Sequence, residues 1–499
     1  MVRDGATAAG QSVIAQGVSS RFEQRRFCRM AKKTMKRFGS QRSARNLNRR
    51  EFLKAAGGLI AAEFFPPVIL PARAPRPNVL FVMTDQQRYP YLGICGQVSV
   101  RTPAMDSIAR EGVLFTQAFC STPQCSASRS SIMTSLYPHA TTVMGNIGAA
   151  GGNSLPEELP SLGHVFSEAG YRTAYFGKWH LGGDAHDYGW KVYDECGRGV
   201  GEPVAERSVE FLNEVAEPFF LFASFVNPHD IYGFERLSKT IRRSSRGIKL
   251  PANLRDDLSK KPRPQLQYLL EDQGKAALGL TEEGWIEYLN VYEHLVEKVD
   301  SNIGRILAAL RQRRLERRTV IVFTSDHGDH GGGHGLPFKG PAMYEELVRI
   351  PLAISFPGTI AAGRRVEELV VNVDLLPTLC DLVGLPAPEG IHGKSLAPLF
   401  DGKRTAWRDF VIGEYYSKQK WVNPIRMVRT KDRKYTRYRK WGEELYDLRS
   451  DPGELKNLAA NEAYDAAKQK LSAVLDEWVR ATNDAFESLV PTDRAGNRI

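Results

Sequence analysis

The chain has 499 residues, 42% of them hydrophobic, enough for one large domain with a smaller one, or for two or three domains. Its formal charge of +11 sits at the start: residues 1–77 hold 16 Lys/Arg and 4 Asp/Glu, an excess of 12, so the remainder sums to −1. A near-neutral body argues against nucleic acid as a partner. The cysteines, Cys28, Cys95, Cys120, Cys125, Cys196 and Cys380, follow no disulfide-scaffold rhythm. Those beyond the basic stretch are odd in number, which leaves at least one unpaired or chemically special.

Residues 1–76 read as a basic leader. In "NRREFLKAAGGLIAAEFFPPVILPARA", Arg49 and Arg50 precede Phe52, Leu53 and Lys54, then a weakly apolar Ala/Gly-rich stretch broken by Glu63. The segment resembles a bacterial twin-arginine export signal, with an amphipathic N-terminal helix as the other reading. The apolar stretch is too short for a stable membrane span. An Ala-x-Ala pattern ends at Ala74, and the long basic lead makes Met30 or Met35 a candidate start. The resemblance implies that folding and cofactor assembly precede passage through a twin-arginine translocase, with the mature protein periplasmic or secreted.

From residue 78 the chain alternates short apolar runs with helical patterns. "NVLFVMT" ends at Asp85, "TAYFGKWH" carries Lys178 and His180, "FFLFASFVNPHD" reaches His229, and "TVIVFTSDHGDH" reaches Asp326 and His327. Such runs predict buried strands of a mainly parallel sheet, with each reactive group at a strand's carboxyl end, where open α/β sheets build ligand sites. Between them, Tyr292, Leu295, Val299, Ile303, Ile306 and Leu310 recur at helical spacing and predict a long amphipathic helix feeding a strand over 319–325. Residues 231–280, polar and without clear periodicity, read as an insertion or long loop near the site. Its run Arg242, Arg243, Arg246 and Lys249 is either a solvated surface or a face for a polyanion. The expected architecture is α/β: a catalytic domain over 77–405, then an α+β subdomain over 406–499 with a small antiparallel sheet and a terminal helix from about 460 to 482.

Asp85, Asp326 and His327 offer hard oxygens and one imidazole, and Gln86 adds a carbonyl oxygen, a ligand set for Ca²⁺, Mg²⁺ or Mn²⁺ rather than a thiolate zinc site. Taken alone, "SDHGD" is equally a solvated turn. Arg129, Lys178, His180, His229 and Lys339 lie near Gly, Pro or strand ends, where they can converge on a tetrahedral oxyanion. In "CSTPQCSASRSSIMTS" a helix starting near residue 125 places Cys125 at its positive end with Arg129 one turn on, the setting of a nucleophile with a lowered pKa or of a small buried cap residue.

"CSASR" resembles the signature of type I sulfatases, in which the cysteine is oxidised to Cα-formylglycine. The resemblance continues in family order through "FVMTDQQR", "GKWHLG", "NPHD", "TSDHGDHGG", "KGPAMYEELVRIPLAISFPG" and "ELYDLRSDPGELKNLA". It implies an alkaline-phosphatase-like fold and one Ca²⁺ held by Asp85, Gln86, modified Cys125, Asp326 and His327, with Gln86 standing where many relatives have a second Asp. It further implies that the hydrated aldehyde at 125 attacks sulfur and that Lys178 and Lys339 neutralise sulfate oxygens. His229 would protonate the departing alcohol, His180 would act as base to expel sulfate, and Arg129 would orient residue 125. A cytosolic formylglycine-generating enzyme is implied as a partner, acting on a signature where Ala127 replaces the commoner Pro. The expected substrate is a sulfated small molecule or polysaccharide fragment, probed against two alternatives: a phosphonate monoester or phosphodiester hydrolase of the same superfamily, and a catalytically silent sulfated-glycan binder.

Overall fold

The computed structural model describes residues 76–196, 201–402 and 406–499. The twin-arginine segment and the proposed start and cleavage positions up to Ala74 lie outside the described residues. The described residues form one compact unit.

Fourteen strands are described: β1 (Asn78–Asp85), β2 (Val113–Phe115), β3 (Ala118–Phe119), β4 (Arg172–Gly177), β5 (Val192–Asp194), β6 (Phe219–Pro228), β7 (Thr319–Ser325), β8 (Leu352–Ser355), β9 (Arg364–Val366), β10 (Val370–Val371), β11 (Phe410–Lys418), β12 (Trp421–Thr430), β13 (Arg433–Tyr438) and β14 (Gly442–Asp447). Eight of them form the central sheet in the order β5-β4-β6-β1-β7-β8-β2-β9. β1 lies parallel to both β6 and β7, with Val79 opposite Phe220 and Val320, and β4 lies parallel to β6. These four strands therefore deliver their carboxyl ends to one edge. Only β8 runs against its neighbours β7 and β2.

Period-two alternation divides the core between the faces of this sheet. Val79, Phe81 and Met83 pack with Tyr175 and Phe222 on one face, where the Phe81 and Phe222 rings stack at 4.4 Å. Leu80 and Val82 pack on the other against Tyr292, Val299 and Ile303. Those last residues lie on the helix Glu282–Gln312, which starts where the Thr281 side chain accepts from Gly284 N–H. Every position named from its apolar spacing is buried. Each fully buried Val, Leu or Phe contributes roughly 1.5–3 kcal/mol, so both faces hold the sheet rigidly beneath its reactive edge.

The stretch 231–280 is more ordered than its composition predicts. It holds helices Phe234–Leu237 and Arg263–Glu271 and several 3₁₀ turns, because Pro264, Gln265 and Tyr268 turn one buried face inward over too few turns to show periodicity. Arg243 within it is no free surface cation: it bonds Glu293 and Glu297 on the long helix. The remaining large element is the antiparallel sheet β11-β12-β13-β14, against which the terminal helix Asp465–Ala481 buries Leu471 and Leu475.

Candidate active site

The helix Cys125–Thr134 begins at the cysteine itself, after Gln124 in extended conformation, and all ten of its residues are buried. A helix enclosed on every side needs small residues, and its serines bond the walls: Ser128 Oγ donates to Asp326 O and accepts from Asn372 Nδ2, and Ser130 Oγ bonds Thr141. The serine-rich composition is thus a packing requirement. Gln124 supplies no side-chain cap; Asn146 Oδ1 instead accepts from Ser126 N–H at 3.1 Å, and Cys125 sits at the positive end of the helix.

Arg129, fully buried, spans two strand ends. Its Nε donates to Asp326 Oδ2 at 2.9 Å and its Nη2 to Asp85 Oδ2 at 2.9 Å. Its Nη1 joins Ser224 Oγ and Tyr175 OH on the Lys178 carbonyl, fixing the turn after β4. From there Lys178 Nζ reaches Asp85 Oδ2 at 2.5 Å. Lys339 Nζ lies 3.0 Å from Cys125 Sγ and 2.7 Å from Gln86 Oε1. Gln86, directly after β1, and His180, three residues past β4, both have positive φ, 72° and 58°.

Asp85, Cys125, Asp326 and His327 present ligand atoms that all lie within 4.8 Å of one another. His327 Nδ1 is 2.8 Å from the Gly328 carbonyl, so it carries the proton and the Nε2 lone pair faces the cluster, 3.3 Å from Cys125 Sγ. Burial, then Asp85, pushes the Asp326 carboxyl up to about 6. Burial and the Cys125 sulfur would raise Asp85 too, but Lys178, His229 and Arg129 hold it far below the usual carboxylate range. Burial would also raise the Cys125 thiol, yet Lys178, Lys339 and His327 outweigh it and bring it well below its ordinary value. Facing carboxylates, one of them pushed toward its neutral form, are what a hard cation placed between them would relieve.

Above Cys125 opens a polar pocket of about 250 Å³ lined by His180, His229, Tyr232, Lys339 and Lys418 among others. It shares His180, His229 and Tyr232 with a larger cleft of about 680 Å³ that Lys178 and Arg236 also line. Burial lowers His229. His180 Nδ1 is buried without a protein partner among the described residues. All ten residues singled out from the sequence therefore meet at this edge, eight in direct contact and the two histidines on the pocket wall. Sequence reasoning missed Lys418, whose Nζ donates to the Lys339 carbonyl at 2.7 Å, and Asp329, which bonds Gln86 Nε2 at 2.7 Å. Asp329 was visible as the second acid of "SDHGD"; Lys418 closes a strand of the distant small sheet and carried no local signal.

The sulfatase family matches residues 77–385, and the C-terminal region of N-sulphoglucosamine sulphohydrolase matches 332–481. The Delta 4,5-hexuronate-2-O-sulfatase of Bacteroides thetaiotaomicron is 33% identical over 440 residues, covering 83% of this chain and 91% of that protein. The structure of a 2-O GAG sulfatase superposes with a TM-score of 0.76 at 32% identity, over 84% of this chain and 95% of that one. Phosphonate monoester hydrolase of Agrobacterium radiobacter, 24% identical, shares the fold with a TM-score of 0.69 over 85% of this chain and 99% of its own. The chain belongs to the sulfatase family. It is an enzyme of that class, a hydrolase of sulfate esters. Among the described residues no helix is long and apolar enough to cross a membrane.

Proposed function

We propose that this sulfatase removes sulfate from a sulfated carbohydrate, with residue 125 as nucleophile beside a bound Ca²⁺. One observation carries the reading: Cys125 stands at a helix start, 3.0 Å from Lys339 Nζ, on the wall of a polar pocket that His180 and His229 also line. Relatives named for hexuronate and GAG sulfates support the carbohydrate class.

Asp85, Asp326, His327, Gln86 and residue 125 would hold the cation; two carboxylates, an imidazole lone pair and an amide oxygen with a second lone pair form a suitable donor set. Formylglycine at 125 and Ca²⁺ would together supply an oxygen nucleophile and positive charge for the group under attack. The protein's own residues do the rest. Lys178 and Lys339 bring two ammonium groups to the sulfate oxygens, and Arg129 fixes the helix that carries residue 125. As the sulfur–oxygen bond to the carbohydrate breaks, His229 on the pocket wall gives a proton to the leaving alcohol oxygen, and His180 receives one from the residue-125 side. Maturation by a cytosolic formylglycine-generating enzyme, on a signature carrying Ala127, precedes twin-arginine export to the periplasm or beyond.

Peptide mass spectrometry on the tryptic segment Glu111–Arg129, from protein exported by its native host, tests the nucleophile. The expected result is the aldehyde at 125; thiol alone would overturn the mechanism and favour a silent glycan binder. Matched aryl sulfate and aryl phosphate diester substrates test the reaction: a higher kcat/KM on the phosphate diester would favour the phosphonate monoester or phosphodiester alternative.

A further inference from the structure

Behind the cluster runs a buried chain of polar contacts that starts at Asp329, a residue the mechanism does not use. Asp329, fully buried, accepts from Tyr288 OH at 3.0 Å and Gly331 N–H at 2.7 Å through Oδ1, and from Gln86 Nε2 at 2.7 Å through Oδ2. Gln86 Oε1 accepts from Lys339 Nζ at 2.7 Å, and the same ammonium lies 3.0 Å from Cys125 Sγ. The Gln86 backbone is also pinned, with its N–H on Asp326 Oδ1 at 3.1 Å and its carbonyl accepting from Tyr292 OH at 2.6 Å. Only the side-chain amide is left to choose a direction.

We infer that Asp329 is a positioning residue: its carboxylate fixes the Gln86 amide with the oxygen facing Lys339 and the ligand cluster, and thereby sets the Lys339 ammonium against residue 125. The inference rests on the proposed role of residue 125 and extends it to a residue outside the ligand set. An ammonium only donates and a carboxylate only accepts, so an amide between them has one satisfied orientation. The partner of the carboxylate must be the NH₂, and the oxygen must face the lysine. An asparagine at 329 breaks this logic. If its oxygen stays on Gly331 N–H and Tyr288 OH, its NH₂ meets the NH₂ of Gln86, which must flip and turn two donors toward Lys339. If its oxygen turns to Gln86, the Gly331 N–H faces a donor instead. A buried donor or acceptor without a partner is costly, so the site cannot absorb the change silently.

The test is a polarity swap in the full-length mature enzyme. Asp329→Asn is expected to lower kcat/KM by about 10–100-fold, mostly in kcat, and to raise the Ca²⁺ concentration needed for half-maximal thermal stabilisation. Gln86→Glu alone sets two carboxylates face to face and is expected to lose activity as well. The double variant Asp329→Asn with Gln86→Glu restores one donor opposite one acceptor while moving the negative charge a single step, and should recover at least tenfold over the weaker single variant. Loss from Asp329→Asn with no recovery in the double variant overturns positioning and leaves a merely structural role. Wild-type activity in Asp329→Asn overturns it as well. Should Asp329→Asn fail to fold, the comparison of Gln86→Glu with the double variant decides on the same criterion. Wild-type protein that hydrolyses no sulfate ester would reject the proposed function, whereas the Ca²⁺ midpoints of the variants would still report whether Asp329 governs Gln86.

Discussion

Among the described residues three largely buried clusters of acids and bases could by composition hold a metal, and two of them make the sharpest comparison. In the C-terminal one, Arg426 grips Asp484 with Nε at 2.6 Å and Nη2 at 2.8 Å, while His139 places Nδ1 2.6 Å from Glu414 Oε1 and Nε2 3.2 Å from Thr482 O. Each acid faces a cation. In the cluster at Cys125, Asp326 is pushed up to about 6 by burial and then by Asp85, and His327 Nε2 lies 3.3 Å from Cys125 Sγ, 3.7 Å from Asp326 Oδ1 and 3.9 Å from Asp85 Oδ1. The acids at Cys125 are paired too, Arg129 with both and Lys178 with Asp85, so the contrast lies in Asp326, whose carboxyl stays raised, whereas in the closed C-terminal network Arg426 and His139 outweigh burial and lower Glu414. A third grouping, His334, Glu346 and Glu454, belongs with the closed kind: Asn253 Nδ2 already bonds His334 Nε2 at 3.0 Å, Glu346 Oε1 at 2.9 Å and Gly453 O at 3.0 Å. An amide stands where a cation would have to.

Breaking the two clusters should therefore have opposite signatures. Cys125→Ala is expected to cut sulfate release by at least about 10⁴-fold, the scale of losing a nucleophile, while thermal unfolding with saturating Ca²⁺ stays close to wild type. Substantial residual turnover would remove residue 125 from the chemistry. Asp326→Asn takes one acceptor from Arg129 and one charge from the ligand set; about 10²–10³-fold lower activity and a weakened Ca²⁺-induced rise in Tm are expected. Arg426→Met should act the other way round, leaving Asp484 and Glu414 buried without their guanidinium. That change is expected to cost about 3–5 kcal/mol of stability, read by denaturant unfolding, with kcat/KM per folded molecule within a few-fold of wild type.

A subtler probe sits between the two regions. Lys418 ends β11 in the small sheet yet lines the pocket above Cys125, and burial, opposed by Asp272 but reinforced by Lys339, brings its pKa down to about 7. Lys418→Met is expected to raise KM roughly tenfold for an anionic sulfated saccharide with a smaller change in kcat, because it removes a pocket cation without touching residue 125. Equal losses in kcat and kcat/KM would instead place Lys418 in the machinery of Lys339, whose carbonyl it holds at 2.7 Å.

Legibility in the sequence followed the range of the physics. Strand ends were readable because β1, β4, β6 and β7 are largely buried apolar runs that end at, or one residue before, an ionisable side chain, so Asp85, Lys178, His229 and Asp326 announce themselves locally. The helix at Cys125 was readable from its small-residue start. Lys418 was not, since its relevance depends on a sheet folding back over 79 residues to Lys339. Asp329 was in view but without a role, because nothing local shows that its carboxylate points at Gln86, 243 positions away. The short helix Arg263–Glu271 was missed for a different reason: its buried face spans too few residues for periodicity to emerge.

The closed cluster also makes a prediction about pH. Burial lowers the His139 pKa, but Glu414 outweighs it through charge and a direct hydrogen bond, so the folded value lies above the unfolded one near 6.5. The folded state thus binds the proton more tightly, and the stability this supplies is complete below the unfolded pKa and disappears as pH rises through the folded one. His139→Gln keeps a hydrogen-bonding side chain beside Glu414 but cannot take up the charge. The Tm difference between wild type and this variant should accordingly be larger near pH 5.5 than near pH 8.5, each measured at saturating Ca²⁺ so that the other cluster stays occupied. A difference that grows toward alkaline pH would show that His139 is held neutral, and that Arg426 alone neutralises Glu414 across a separation of 3.9 Å.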